Sequence, residues 1–113
     1  MEVSLIRVGC FLSYKMDYIF EVFDKTGKRI RLTDKQWRHI TFPSSPHSYM
    51  VNHLERIKQT LINPDKIIGS VYDDAKTSYY KYYKDKKRFV RVVVKYLNGE
   101  GYIITAYFVK YIK

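Results

Sequence analysis

From Lys66 onward apolar residues tend to recur at every second position, in stretches that run Ile67 to Tyr72, Ser78 to Tyr83, Phe89 to Tyr96 and Tyr102 to Tyr111. A period of two belongs to a half-buried strand, and the breaks carry turn residues: Asp73-Asp74, Lys84 to Lys87 and Asn98-Gly99-Glu100-Gly101. Turns this short reverse the chain, so the four strands predict an antiparallel sheet.

Upstream the pattern changes. Ser4 to Leu12 and Tyr18 to Phe23 are short apolar stretches, and the second passes through Asp24-Lys25-Thr26-Gly27 before Ile30 and Leu32 resume the alternation, the pattern of a hairpin turning at Gly27. Thr33 with Gln36 three residues on forms a reciprocal capping pair for a short helix through Trp37 to about Ile40. Phe42 to Pro46 breaks that helix, and Ser45-Pro46 starts a second one running to about Ile62, with Val51, Leu54, Ile57 and Leu61 on one stripe and Asn63-Pro64-Asp65 as its stop. The expected class is α+β, two helices packed on one face of the sheet. At 113 residues the chain predicts a single domain over residues 1–113.

Charge bears on partners. The formal balance is +10, and Lys76 to Lys95 holds eight Lys or Arg against one acid, Asp85, with Tyr79, Tyr80, Tyr82 and Tyr83 threaded between them. Cations for phosphates and flat rings for bases suit RNA or DNA. A membrane is the weaker option and is not expected as partner, since no apolar run approaches the roughly 20 residues of a bilayer span and no helix pairs a basic face with a Trp or Phe face. Cys10, the lone cysteine, has no internal disulfide partner and reads as a small core residue; with no leader pattern after Met1-Glu2, a reducing cytoplasm is the expected compartment.

Strand parity sorts these residues by face. Val90, Val92, Val94 and Tyr96 share one side, and Arg91, Val93 and Lys95 the other. In the last strand Ile103, Thr105, Tyr107 and Val109 oppose Tyr102, Ile104, Ala106 and Phe108. One face can therefore gather Lys95, Arg91, Thr105 and Tyr107, subject to a register that the sequence leaves open.

Several chemistries find no pattern here. There is no HxxxH or CxxC for a metal, no phosphate-binding glycine loop before a helix, and no local signature of a serine or cysteine triad. No cofactor is expected. RNA cleavage by the substrate's own 2′-hydroxyl asks less of the protein: a base, an acid for the leaving 5′-oxygen, and fixed donors or cations for the charged transition state.

Ile30-Arg31-Leu32-Thr33, Trp37-Arg38-His39-Ile40, Ile57 to Leu61 with Pro64-Asp65, Tyr79-Tyr80-Lys81, Val92-Val93-Val94-Lys95 and Thr105-Ala106-Tyr107 follow one another in order. This ordered set, across residues 18 to 113, resembles the phage-type nuclease families of the Barnase/EndoU/colicin/RelE fold. The resemblance implies a four-to-five-stranded antiparallel sheet backed by helices, and a metal-independent endoribonuclease that leaves 2′,3′-cyclic phosphate and 5′-hydroxyl ends, often borne by phages, mobile elements or toxin systems. Carried over by position, it makes His39 the acid or base and Arg38 a phosphate ligand. Lys95, Tyr80, Thr105 and Tyr107 become the remaining catalytic candidates. The family's His-Pro-Glu element departs here to Pro46-His47-Ser48, at longer spacing and without the Glu, so His47 receives no role.

Lys81, Arg91, Tyr82, Lys87 and Arg88 complete the set as RNA-binding residues, from the basic-aromatic strands themselves. Each residue also has a plainer use: a histidine beside a tryptophan bonds a carbonyl, and strand lysines guard edges. The competing expectation is a non-catalytic RNA- or DNA-binding module. An inhibitor or antitoxin protein is a further expected partner if the chain is a toxin.

Overall fold

The structure, a computed structural model, describes residues 17–112. The strand expected over Ser4 to Leu12 and the core position expected for Cys10 lie outside the described residues.

Strands β1 (Tyr18–Phe23) and β2 (Arg29–Thr33) form the expected hairpin. Gly27 takes φ +87° at its turn, where a side chain would be strained. The Asp24 carboxylate fills the turn: Oδ1 accepts from the amides of Thr26 (2.9 Å) and Lys28 (2.8 Å) and from the Thr26 hydroxyl (2.7 Å). β2 leads directly into α1 (Asp34–Thr41), and the Thr33 hydroxyl accepts from the Gln36 amide at 3.1 Å. The cap is not reciprocal, because the Gln36 side chain donates instead to the Ile104 carbonyl at 2.5 Å.

The second helix is shorter than its pattern predicts. Residues Ser48–Asn52 form a 3₁₀ turn, the chain bends at His53, and α2 spans Leu54–Ile62. The tighter period turns Met50 into the core and leaves Val51, expected on the apolar stripe, 52% exposed. Docking against a strand explains the break: Tyr49 Oη accepts from the Phe108 amide at 3.1 Å, and the Tyr49 and His53 rings pack on Phe108.

Four more strands follow: β3 (Lys66–Gly69), β4 (Lys76–Tyr83), β5 (Arg88–Leu97) and β6 (Glu100–Val109). They join the hairpin in one six-stranded sheet of order β1-β2-β6-β5-β4-β3. The expected four to five antiparallel strands are thus corrected to six in a mixed sheet. The hairpin docks on the edge of β6, and the crossover through both helices makes β2 parallel to β6, at Ile30–Gly101 and Arg31–Tyr102.

Ile40 of α1, Ile57 and Leu61 of α2 and Met50 bury themselves with Ile30, Leu32, Val90, Val92, Val94, Ile103 and Ala106 in one cluster, so both helices cover the same sheet face. Register on β6 slips by one residue at Ile104: Thr105 lies opposite Val93, but Ile103 lies opposite Val94. This bulge splits Ile103 from Thr105 and Tyr107, which simple alternation puts together. Ile103 enters the core while Thr105 and Tyr107 stay on the far face.

Candidate nucleic-acid interface

Cross-strand pairing arranges the face away from the helices in rows. Tyr80, Arg91 and Tyr107 form one row; Ser78, Val93 and Thr105 the next; Lys76, Lys95 and Tyr102 the third. The expected meeting of Lys95, Arg91, Thr105 and Tyr107 on one face therefore occurs.

Arg91 is the centre of this surface. Its Nε and Nη2 donate to Ser78 Oγ at 3.2 and 3.1 Å, and Nη1 donates to Tyr107 Oη at 2.7 Å. The guanidinium lies 5.8 and 5.7 Å from the ring centres of Tyr80 and Tyr107. The imidazole of His47 stacks on the other partner, 4.5 Å from the Tyr107 ring and inclined by 13°.

Charge balance separates Arg91 from several other arginines. Arg31 is held by Glu21 at 2.5 Å and Glu100 at 3.4 Å, Arg56 grips both oxygens of Asp85 at 2.8 and 2.7 Å, and Arg38 pairs with Asp34 at 2.8 Å. Arg91, among the described residues, has only neutral hydroxyls for partners. A guanidinium keeps its charge, and a half-buried cation fixed by neutral acceptors and rings is set to receive an anion.

Other site candidates are distributed unevenly. Lys95 stands directly opposite Lys76, a like-charge pair that strand pairing disfavours, and Asp73, 3.8 Å away, offsets it. Tyr80 is 1% exposed, so its ring supports the guanidinium from below and does not itself reach a ligand. Tyr82 is exposed on the same face and meets Phe89 edge-on at 5.1 Å. Lys87 and Arg88 extend the basic character into the turn between β4 and β5, where the single acid, Asp85, is held by Arg56. Lys81 pairs with the buried Val90, lies on the helix side and donates to the Asn63 carbonyl at 3.2 Å.

His39 and Arg38 are exposed on the outer side of α1, not in the hydrophobic interior. With Lys35, Phe42, Ser44, Ser45 and Pro46 they line a recess of about 520 Å³. Lys95 lines a different recess with Gln36, Tyr102 and Ile104, and Lys35 borders both. The loop between α1 and the 3₁₀ turn thus separates His39 from the Arg91 row, and the histidine that touches that row is His47. Ser78 was not among the residues expected from the sequence, and His47 was named there without a role. A small hydroxyl amid large strand residues was the signal for Ser78, and a histidine in a Pro-Ser loop the signal for His47.

His53 faces the other way, edge-on to Phe108 at 5.0 Å. Burial, then the Arg56 and Lys86 charges, lower its pKa against the opposing pull of Asp85, which favours a neutral structural ring. Among the described residues no three His, Cys, Asp or Glu side chains gather closely enough to hold a metal, and no described helix is long and apolar enough to cross a membrane. What the face away from the helices offers chemically is fixed hydrogen-bond donors, a cation without an acidic partner among the described residues, an imidazole and stacked rings. No protein-family model, curated protein or solved structure matches this chain.

Proposed function

We propose that the protein binds single-stranded or loop RNA on the open sheet face and cleaves it without a metal. The observation that carries this reading is Arg91, clamped by Ser78 and Tyr107 without an acidic partner among the described residues, beneath a histidine stacked on Tyr107. Phosphate oxygens take the fourth side of that cluster, with Arg91 and Lys95 as cations and Tyr107 and Thr105 as hydroxyl donors. The ribose 2′-oxygen attacks the adjacent phosphorus and gives up its proton to a base. The bond from phosphorus to the 5′-oxygen breaks, and that oxygen takes a proton from an acid. The products are a 2′,3′-cyclic phosphate and a 5′-hydroxyl end. His47, in contact with Tyr107, fills one of these two proton-transfer roles, in place of His39, which the motif resemblance made the acid or base.

Incubating the purified protein with RNA in excess chelator and analysing the ends of the products tests this. Cleavage should persist in chelator, and Arg91→Ala and His47→Ala should each lower the rate by about a hundredfold or more. Loss of cleavage on chelation, or wild-type rates in both variants, overturns the reading. RNA binding that depends on Arg91 but never leads to cleavage identifies a non-catalytic binding module on the same face.

A further inference from the structure

The recess on the outer side of α1 has features that a histidine on a solvated helix does not need. Lys35, Arg38 and His39 lie on one face of the helix, at spacings of three and four, and point cationic or hydrogen-bonding groups into one recess. The loop that closes it supplies Phe42, Ser44 and Pro46. Phe42 is 62% exposed, so its ring is not a core residue and its flat surface is available beside the cations. A volume of about 520 Å³ falls within the range that holds a small ligand, roughly 300–1,000 Å³. The acid nearby, Asp34, bonds Arg38 at 2.8 Å, but that ion pair is exposed and contributes little, so a phosphate can displace it.

Continuity with the Arg91 site decides which ligand this is. Ser45 lines the recess, and its hydroxyl accepts from the His47 amide at 3.1 Å. The His47 ring in turn rests on Tyr107. The loop residues Ser45 and His47 thus link the lining of the recess to Tyr107, the partner of Arg91.

We infer that this recess is a second nucleotide subsite, which takes a base on Phe42 and the adjoining phosphate on Lys35, Arg38 and His39 from the same RNA strand that lies across Arg91. The inference rests on the proposed RNA-binding role and gives His39 a binding function in place of proton transfer. It predicts that His39→Ala raises KM and leaves kcat nearly unchanged, the reverse of His47→Ala.

The deciding probe is a 2′-O-methylated hexanucleotide, whose blocked hydroxyls cannot attack phosphorus, so affinity is read apart from cleavage. Phe42→Ala and Lys35→Ala should each weaken its binding about tenfold. Phe42→Trp, which keeps a stacking surface, should retain it. Melting temperatures close to wild type confirm that these surface variants fold. Wild-type affinity in both alanine variants overturns the subsite, as does failure of the native protein to bind the probe or equal loss in Phe42→Trp. If unmodified RNA is never cut but the probe depends on Phe42, the subsite stands and the cleavage reading falls. If RNA is cut while the variants bind normally, the subsite alone falls.

Discussion

Asp24 shows how one side chain joins a turn to the core. Beyond the three turn donors on Oδ1, its Oδ2 accepts from the Tyr79 hydroxyl, which also bonds the Tyr96 hydroxyl. Burial pushes the carboxyl pKa up, but hydrogen bonds from Tyr79, from the Thr26 side chain and from the Lys28 and Thr26 amides outweigh it, and the net direction is down. A carboxyl depressed on folding stabilises the native state above its unfolded pKa, near 3.8, and loses that contribution as pH falls through the lower native value. Tyr79→Phe removes the largest of the lowering contacts and should destabilise by about 1.5–3 kcal/mol at neutral pH. Urea unfolding at pH 7 and below pH 3 checks the sign: the gap between variant and wild type should shrink on acidification, and a constant gap would show that the bond does not depend on charge. The sequence reveals none of this pairing, since Asp24 reads there as an ordinary turn residue and Tyr79 as one tyrosine of a cluster. Arg91 and Tyr107 were legible as neighbours on a face because parity follows from composition along a strand. Ser78 was not, because what singles it out is the guanidinium it holds.

At the level of elements, the strands announced themselves and their order did not. Alternation located β4, β5 and β6 to within a few residues, yet the contact that places the hairpin in the sheet is a two-residue parallel pairing between β2 and β6. No periodic signal encodes a contact so short. What makes it feasible is Gly101: a Cβ there would lie 3.0 Å from Tyr96 Cε1, 3.1 Å from Ile30 Cγ1 and 3.1 Å from Val94 Cγ1. Ile30 and Val94 are fully buried and Tyr96 is tethered through Tyr79, so none of the three can yield easily. Gly101→Ala should therefore destabilise by about 1–3 kcal/mol, with the loss visible as a lowered denaturation midpoint and faster hydrogen exchange in β2. An unchanged midpoint would mean that the hairpin docks more loosely than the register implies. The same limit on local patterning explains the second helix. Its apolar spacing was helical throughout, but docking of Tyr49 and His53 on Phe108 overrides that propensity and tightens the first part into a 3₁₀ turn.

Over the whole molecule the charge has a direction that the +10 balance does not convey. Glu21, Glu100 and Asp85 are each engaged by an arginine, Arg31 or Arg56, which leaves Arg91, the opposed pair Lys76 and Lys95, and Lys66 opposite Tyr80 as cations on the face away from the helices among the described residues. Such a layout makes a quantitative claim about salt. Each phosphate neutralised on a single strand releases condensed counterions, and the logarithm of affinity falls with the logarithm of salt by about 0.7 per contact. If RNA lies across Arg91, Lys95 and the recess on α1, the wild-type slope should be about −2 to −4 by that rule. Arg91→Ala and Lys95→Ala should each make it shallower by about 0.7. Lys81→Ala provides the internal control, since that lysine has the same charge in the neighbouring strand β4 but points to the helix side, where it bonds the Asn63 carbonyl. Titrations at several salt concentrations separate the two faces: a slope that responds to Lys81 as strongly as to Lys95 would mean that attraction follows net charge alone and that the open face is not where the strand lies.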